Sequence, residues 1–169
     1  FKIASEKIPE AKLWLIGPID EDEDYYDECV KLVENLGLQE KVGFTGRANV
    51  LEYYSFLDLL LLTSISEGQP LSILEGLAAG IPFISTDVGN CREILLEKTD
   101  IGEAGVIIPP TSYTDLALTL LQLYHNPKKL KEFSKNGKKI VNKYYSKESF
   151  IQRYREIYDE MKGVEEWQE

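Results

Sequence analysis

Five short strand-like runs separated by helical stretches constrain this chain to an α/β fold. The runs are Lys12 to Gly17, with Leu13-Trp14-Leu15-Ile16 at its centre, then Val42 to Thr45, Leu57 to Thr63, Phe83 to Thr86 and Ala104 to Ile108. The continuous apolar run Leu13 to Ile16 reads as a parallel core strand, buried on both faces. Gly17-Pro18, Gly46-Arg47 and Pro109-Pro110 punctuate the runs. Between the runs, Tyr25 to Leu36 is helical, with Tyr26, Val30, Val33 and Leu36 near the 3.6 period and a stop at Gly37. Val50 to Phe56, Leu71 to Ala79 and Arg92 to Leu95 read as further helices. Strands alternating with helices predict a parallel, doubly wound, Rossmann-like sheet flanked by helices.

The chain after Ile108 is helical. Ser112 and Asp115 have capping-box spacing and open a helix to about Tyr124. Asn126-Pro127 breaks it, and Pro127 opens the next, Lys128 to Tyr144. Ser146 caps a last helix to Met161, with Phe150, Tyr154, Ile157, Tyr158 and Met161 as an apolar stripe, and the tail Gly163 to Glu169 is expected to fray. Residues 1–145 are expected to form the domain, and 146–169 its C-terminal helix and tail. Phe1 to Ile8 reads as the end of a helix stopped by Pro9. A sheet entered in mid-helix implies that an earlier strand is missing.

Composition excludes several classes. With 169 residues, 43% of them hydrophobic, the chain can bury one core. A formal charge of −10 gives no counterion-release attraction to nucleic acid. No apolar run approaches the ~18 residues of a membrane span, and no basic-then-apolar leader is present. Cys29 and Cys91 lack CxxC spacing, and with His125 as the sole histidine a structural zinc site is not expected. A reduced, cytoplasmic setting follows. Gly-rich dinucleotide and Walker motifs are absent. The acidic run Asp20 to Asp24 reads as a solvated loop and helix start.

The chemistry concentrates in Ser66-Glu67-Gly68-Gln69-Pro70-Leu71-Ser72-Ile73-Leu74-Glu75, where seven residues separate two carboxylates. Glu67 falls on the loop after a strand, and Glu75 about one turn inside the next helix. Both would face one crevice at the carboxyl end of the strand, where such sheets bind ligands. Gly68 permits a close backbone approach or a positive φ. Pro70 suits a first helical turn, and the amides of Leu71, Ser72 and Ile73 would then face the loop as a site for phosphate or diphosphate. Carboxylates flanking an anion site suit a nucleotide sugar, which has hydroxyls at both ends and a diphosphate between. Taken alone, a Glu pair near a helix start is also a common response to the helix dipole.

The segment Thr63 to Pro82, with its Glu-x7-Glu, alanine-rich helix and Gly80-Ile81-Pro82, resembles the donor-binding motif of retaining GT-B glycosyltransferases of family 4. The following Asp87-Val88-Gly89-Asn90-Cys91-Arg92 is most similar to the Pel exopolysaccharide branch. The resemblance runs from about Leu13 to Met161 and implies the C-terminal domain of a two-domain enzyme using a UDP-sugar, with UDP-glucose the expected donor and no metal or cofactor required. It makes Glu67 the catalytic carboxylate, contacting hydroxyls of the donor sugar, and gives Glu75 the ribose hydroxyls. Amides at Leu71 and Ser72 would take the diphosphate. Gly68 and Gln69 would line the sugar pocket, although the family often has an aromatic residue and glycine where this chain has Gln69-Pro70. Arg47 is either a base contact or a surface arginine, and Gly17 either lines the nucleotide or is a turn glycine.

Arg92 reads as a phosphate contact or as an ion pair with Glu93 or Glu97. His125, Tyr144-Tyr145 and the late aromatic stripe read as structural, although the last helix of the parent fold crosses back to the other domain. The partner implied is the N-terminal GT-B domain, which supplies the acceptor site. The family's basic pair for the diphosphate lies upstream, so this chain alone is expected to be inactive. Two other readings stay open: a piece of a non-hydrolysing UDP-sugar epimerase, or a non-catalytic module that binds nucleotide or a protein.

Overall fold

The computed structural model describes residues 1–165, with side chains described through residue 162. It is α/β, with parallel strands flanked by helices, and divides into two compact units: Phe1–Leu57 with Thr111–Pro127, and Asp58–Pro110 with Lys128–Glu169.

The first unit contains α1 (Lys2–Ser5), β1 (Leu13–Leu15), α2 (Glu23–Asn35), β2 (Val42–Phe44) and α3 (Val50–Tyr53). A 3-10 turn, Tyr54–Phe56, continues α3, so the helix expected over 50–56 changes pitch halfway. β1 and β2 pair in parallel, with Trp14 beside Gly43. The Trp14 ring lies across that glycine, where a Cβ would come within 2.6 Å of it. The expectation that β1 is buried on both faces fails, because Trp14 is 49% and Leu15 41% exposed. The strand's one ladder partner among the described residues is β2, so its apolar run is covered incompletely. The acidic run before α2 has a local role. Asp22 caps the helix by accepting from the Tyr25 amide at 2.9 Å, and Glu23 and Asp24 sit at its positive end. α6 (Tyr113–Tyr124) starts at Ser112, whose hydroxyl accepts from the Asp115 amide, and packs against α1.

The second unit holds a three-stranded parallel sheet in the order β3 (Leu60–Leu62), β4 (Phe83–Thr86), β5 (Gly105–Ile108). All four residues of central β4 are buried. β3 is shorter than its apolar run, because Leu57 still belongs to the end of the 3-10 turn. α4 (Leu71–Ala79), α5 (Cys91–Leu96) and α7 (Pro127–Tyr144) supply Ile73, Leu77, Ile94, Leu95 and Ile140 to the core around Phe83. α4 comes very close to the sheet. A Cβ on Gly76 would collide with the Leu60 side chain and lie 2.5 Å from the Phe83 ring. The helix ends at Gly80 in the left-handed region, φ 86°, which lets the Gly80 and Ile81 amides return to the carbonyls of Leu77 and Gly76.

Ser146 accepts from the Ser149 amide at 3.1 Å at the start of α8 (Lys147–Glu165). Its stripe, read as structural although the last helix of the parent fold crosses back to the other domain, is exposed throughout: Phe150, Tyr154, Ile157, Tyr158 and Met161 have nothing among the described residues covering that face. Tyr144 and Tyr145 do pack on the core. Residues 163–165, expected to fray, continue the helix, and the rest of that expectation lies outside the described residues. Among the described residues, no helix is long and apolar enough to cross a membrane.

Candidate functional site

The second unit carries Glu67, Gly68, Gln69, Leu71, Ser72 and Glu75, all on the β3–α4 connection or the first turns of α4. Arg47 and Gly17 belong to the first unit.

The loop after β3 is fastened at its root. Buried Thr86, at the end of β4, donates its hydroxyl to the Ser64 carbonyl at 2.6 Å and lies 3.4 Å from that of Leu62. Ser64 in turn donates its own hydroxyl to Oε1 of Glu67 at 2.7 Å, a charge-assisted bond that fixes one carboxylate oxygen. Glu67 is half-buried.

A second support comes from the β4–α5 loop. The Asn90 amide donates to the Gly68 carbonyl at 2.9 Å. Gly89 has φ +50°, and a Cβ there would strike the Gly68 carbonyl and lie 2.5 Å from that of Glu67. Gly68 itself is not among the glycines of positive φ and has open space where a Cβ would stand. Of the two uses expected at Gly68, the positive φ is found instead at Gly89. The signal for it was the Val-Gly-Asn turn after β4, but which loop it approaches is a tertiary fact.

Pro70 precedes α4 as its cap, one position before the first turn expected for it, and Leu71 is the first helical residue. The amides of Leu71 and Ser72 have no acceptor within the helix. The third amide expected to face the loop does not: Ile73 donates back to the Pro70 carbonyl at 3.3 Å. Burial of Ile73 and Leu77 turns Leu71, Ser72 and Glu75 outward. The second carboxylate thus stands one turn inside the helix on its exposed side.

Arg92 pairs neither with Glu93 nor with Glu97. Its guanidinium grips Asp87 through Nε at 3.0 Å and Nη2 at 2.5 Å, across the β4–α5 turn. That bond holds the Asp87 carboxyl below the usual carboxylate range and pushes Arg92 up. Glu93 instead pairs with Lys98 at 2.6 Å. Arg47 is exposed and paired with Asp20 at 3.4 Å and Glu21 at 2.9 Å. Gly17 borders open space. Cys91 is fully buried at the start of α5, and Cys29 is half-buried in α2. His125 closes α6, with its ring against Tyr124. Among the described residues, no three His, Cys, Asp or Glu side chains gather as metal ligands.

A half-buried carboxylate held by one oxygen, two unengaged positions at a helix start and a second carboxylate one turn on can serve a ligand that joins hydroxyls to an anion. Comparison with known proteins narrows this. The family described as Glycosyl transferases group 1 matches residues 1–140. N-acetyl-alpha-D-glucosaminyl L-malate synthase of Bacillus anthracis is 29% identical over 150 residues, covering 88% of this chain and 37% of that protein. The chain therefore spans well under half the length of this curated relative. The C-terminal domain of LpcC, a glycosyl transferase group 1 family protein from Francisella tularensis, aligns with TM-score 0.76 and 26% identity, over 86% of this chain and 75% of that one. Anabaena HepE in complex with UDP aligns with TM-score 0.81 and 21% identity, over 94% of this chain and 44% of that one, a likeness of fold.

Proposed function

The chain belongs to the group 1 glycosyl transferases, and from that premise we propose that it is the donor-binding domain of a retaining family 4 enzyme that transfers a hexose from a UDP-sugar. The observation that carries the reading is the Glu67 carboxylate, held by Ser64 between the end of β3 and the start of α4. Glu67 is the catalytic carboxylate in this reading. Its second oxygen accepts from the donor sugar's hydroxyls, and Gly68 and Gln69 line the pocket beside it. The amides of Leu71 and Ser72 receive the diphosphate and stabilise the charge that develops as the nucleotide leaves. Glu75, one turn on, accepts from the ribose hydroxyls. Arg47 and Gly17 are proposed for the base side of the nucleotide. For Arg47 this requires exchanging Asp20 and Glu21 for the ligand, which two exposed, screened ion pairs permit at small cost.

UDP as the nucleotude leaving group is supported by the UDP-bound structure of HepE, a protein of the same fold. UDP-glucose, the Pel-like branch and exopolysaccharide synthesis rest on the segment Asp87 to Arg92 and are proposed on that likeness alone. Acceptor binding and transfer are proposed for a longer cytoplasmic protein with a second, N-terminal GT-B domain. This chain by itself is expected to show no transfer.

Calorimetric titration of the chain with UDP, UDP-glucose, GDP-mannose and ADP-glucose tests the donor assignment. UDP and UDP-glucose should bind, and the other two should bind more weakly. Glu67→Ala should lower the affinity for UDP-glucose relative to UDP, and Glu75→Gln should weaken both about equally. Equal binding of all four ligands by both variants and the parent chain would remove the site from this crevice.

A further inference from the structure

We infer that Ser64 is a positioning residue of the donor-sugar site: its hydroxyl orients the Glu67 carboxylate, and Thr86 anchors it from the neighbouring strand. This rests on the donor-binding reading of Glu67. A glutamate on a loop has three side-chain torsions, and an exposed one samples many orientations. A carboxylate that must meet sugar hydroxyls needs one orientation set before the ligand arrives, since ordering it on binding weakens the complex. The short Ser64 Oγ to Glu67 Oε1 bond, 2.7 Å, supplies that restraint from three residues upstream. It uses one carboxylate oxygen and leaves the other to the ligand.

The restraint is useful only if Ser64 is itself fixed. Its carbonyl accepts from the Thr86 hydroxyl at 2.6 Å, and Thr86 is 2% exposed at the end of fully buried β4. The chain of bonds thus runs from the fully buried central strand of the unit through the Ser64 backbone to its side chain and on to Glu67. A serine hydroxyl is well suited to the position. It has one proton to donate to the carboxylate, and its two lone pairs remain for a sugar hydroxyl or water.

The test compares two affinities on the same chain, UDP-glucose and UDP, for the parent, Glu67→Ala, Ser64→Ala, Ser64→Thr and Thr86→Val. The ratio of the two isolates the sugar's contribution from nucleotide binding and from overall folding. Ser64→Ala should lower the ratio roughly tenfold with UDP affinity within about twofold of the parent. Ser64→Thr should keep the parent ratio, because it retains the hydroxyl. Thr86→Val, which removes the anchor while keeping the side-chain shape, should shift the ratio in the same direction as Ser64→Ala. If Glu67→Ala lowers the ratio and Ser64→Ala does not, the positioning role is overturned and the donor site stands. If Glu67→Ala itself leaves the ratio unchanged, or neither nucleotide binds the parent, the donor reading falls and this inference with it. A Ser64→Thr variant as impaired as Ser64→Ala would also overturn the role, since it would show that space and not the hydroxyl matters.

Discussion

At position 89 an added Cβ meets two backbone carbonyls, those of Gly68 and Glu67, and neither can swing away as the end of a flexible side chain could. The φ of +50° adds a second penalty for any other residue. Gly89→Ala should therefore cost about 2–5 kcal/mol, from roughly 1–2 for the left-handed backbone and 1–3 for the overpacking. It should also displace the loop that holds Glu67, and so weaken UDP-glucose binding. Gly68→Ala makes the contrast, because φ there is not positive and the space is open; its effect on stability should stay within about 0.5 kcal/mol. Urea unfolding of the two variants beside the parent checks both. Equal losses would mean that the two loops do not rest on each other as described. The same scale shows why part of the site was hidden in the sequence. Glu67, Glu75 and the helix start between them follow from one continuous segment. That Gly89 abuts Glu67, that Thr86 holds Ser64, and that Arg92 grips Asp87 rather than Glu93 or Glu97 depend on loops from different strands meeting.

Helix α4 illustrates what a single element needs in order to present Glu75 at the carboxyl end of β3. The apolar positions Ile73 and Leu77 bury it, and Gly80 stops it. Its closeness to the sheet depends on Gly76, opposite the Leu60 side chain and the Phe83 ring. Gly76→Ala sets two effects against each other. Helix propensity favours alanine by about 1 kcal/mol, while forcing a methyl into a full core costs about 1–3 kcal/mol. The packing term should win, because Phe83 is 2% exposed and its ring has no room to retreat. A net loss of up to about 2 kcal/mol in urea melts is expected, with partial recovery in Gly76→Ala combined with Phe83→Leu. Additive losses in the double variant would show that the ring is not what the methyl meets. Element boundaries were legible wherever the signal was local: Ser112 and Pro127 at helix starts, Gly80 at a helix end, and β4 at Phe83 to Thr86. They were less so where the outcome depends on partners. The Leu13 to Ile16 run reads as a strand covered on both faces, yet Trp14 and Leu15 are exposed, since a sequence pattern records what a strand can bury and not what lies against it.

Across the whole chain, burial is unevenly shared between the two units. The second unit has the contiguous core, with Ile73, Leu77, Ile84, Ile94, Leu95 and Ile140 fully inaccessible and every residue of β4 buried. In the first, α2, β1 and β2 contain no buried residue, and the inaccessible side chains are confined to α1, its following turn, Leu38 and α6. Local opening is resisted mainly by the apolar surface it exposes, so regions poor in buried contacts exchange their amide hydrogens at lower free energy than core strands. Amide exchange measured by NMR or mass spectrometry should therefore find the slowest amides in β4 and on the buried side of α4, with α2 and the β1–β2 ladder exchanging well before them. The consequence for the site is specific. Glu67 and Glu75 are carried by the well-buried unit, next to its most protected strand, so their geometry should persist when the first unit opens. Arg47 and Gly17, proposed for the base, sit in the segment expected to open first. Uniform protection across both units would mean that the chain opens as one cooperative body and that the difference in burial does not set local stability.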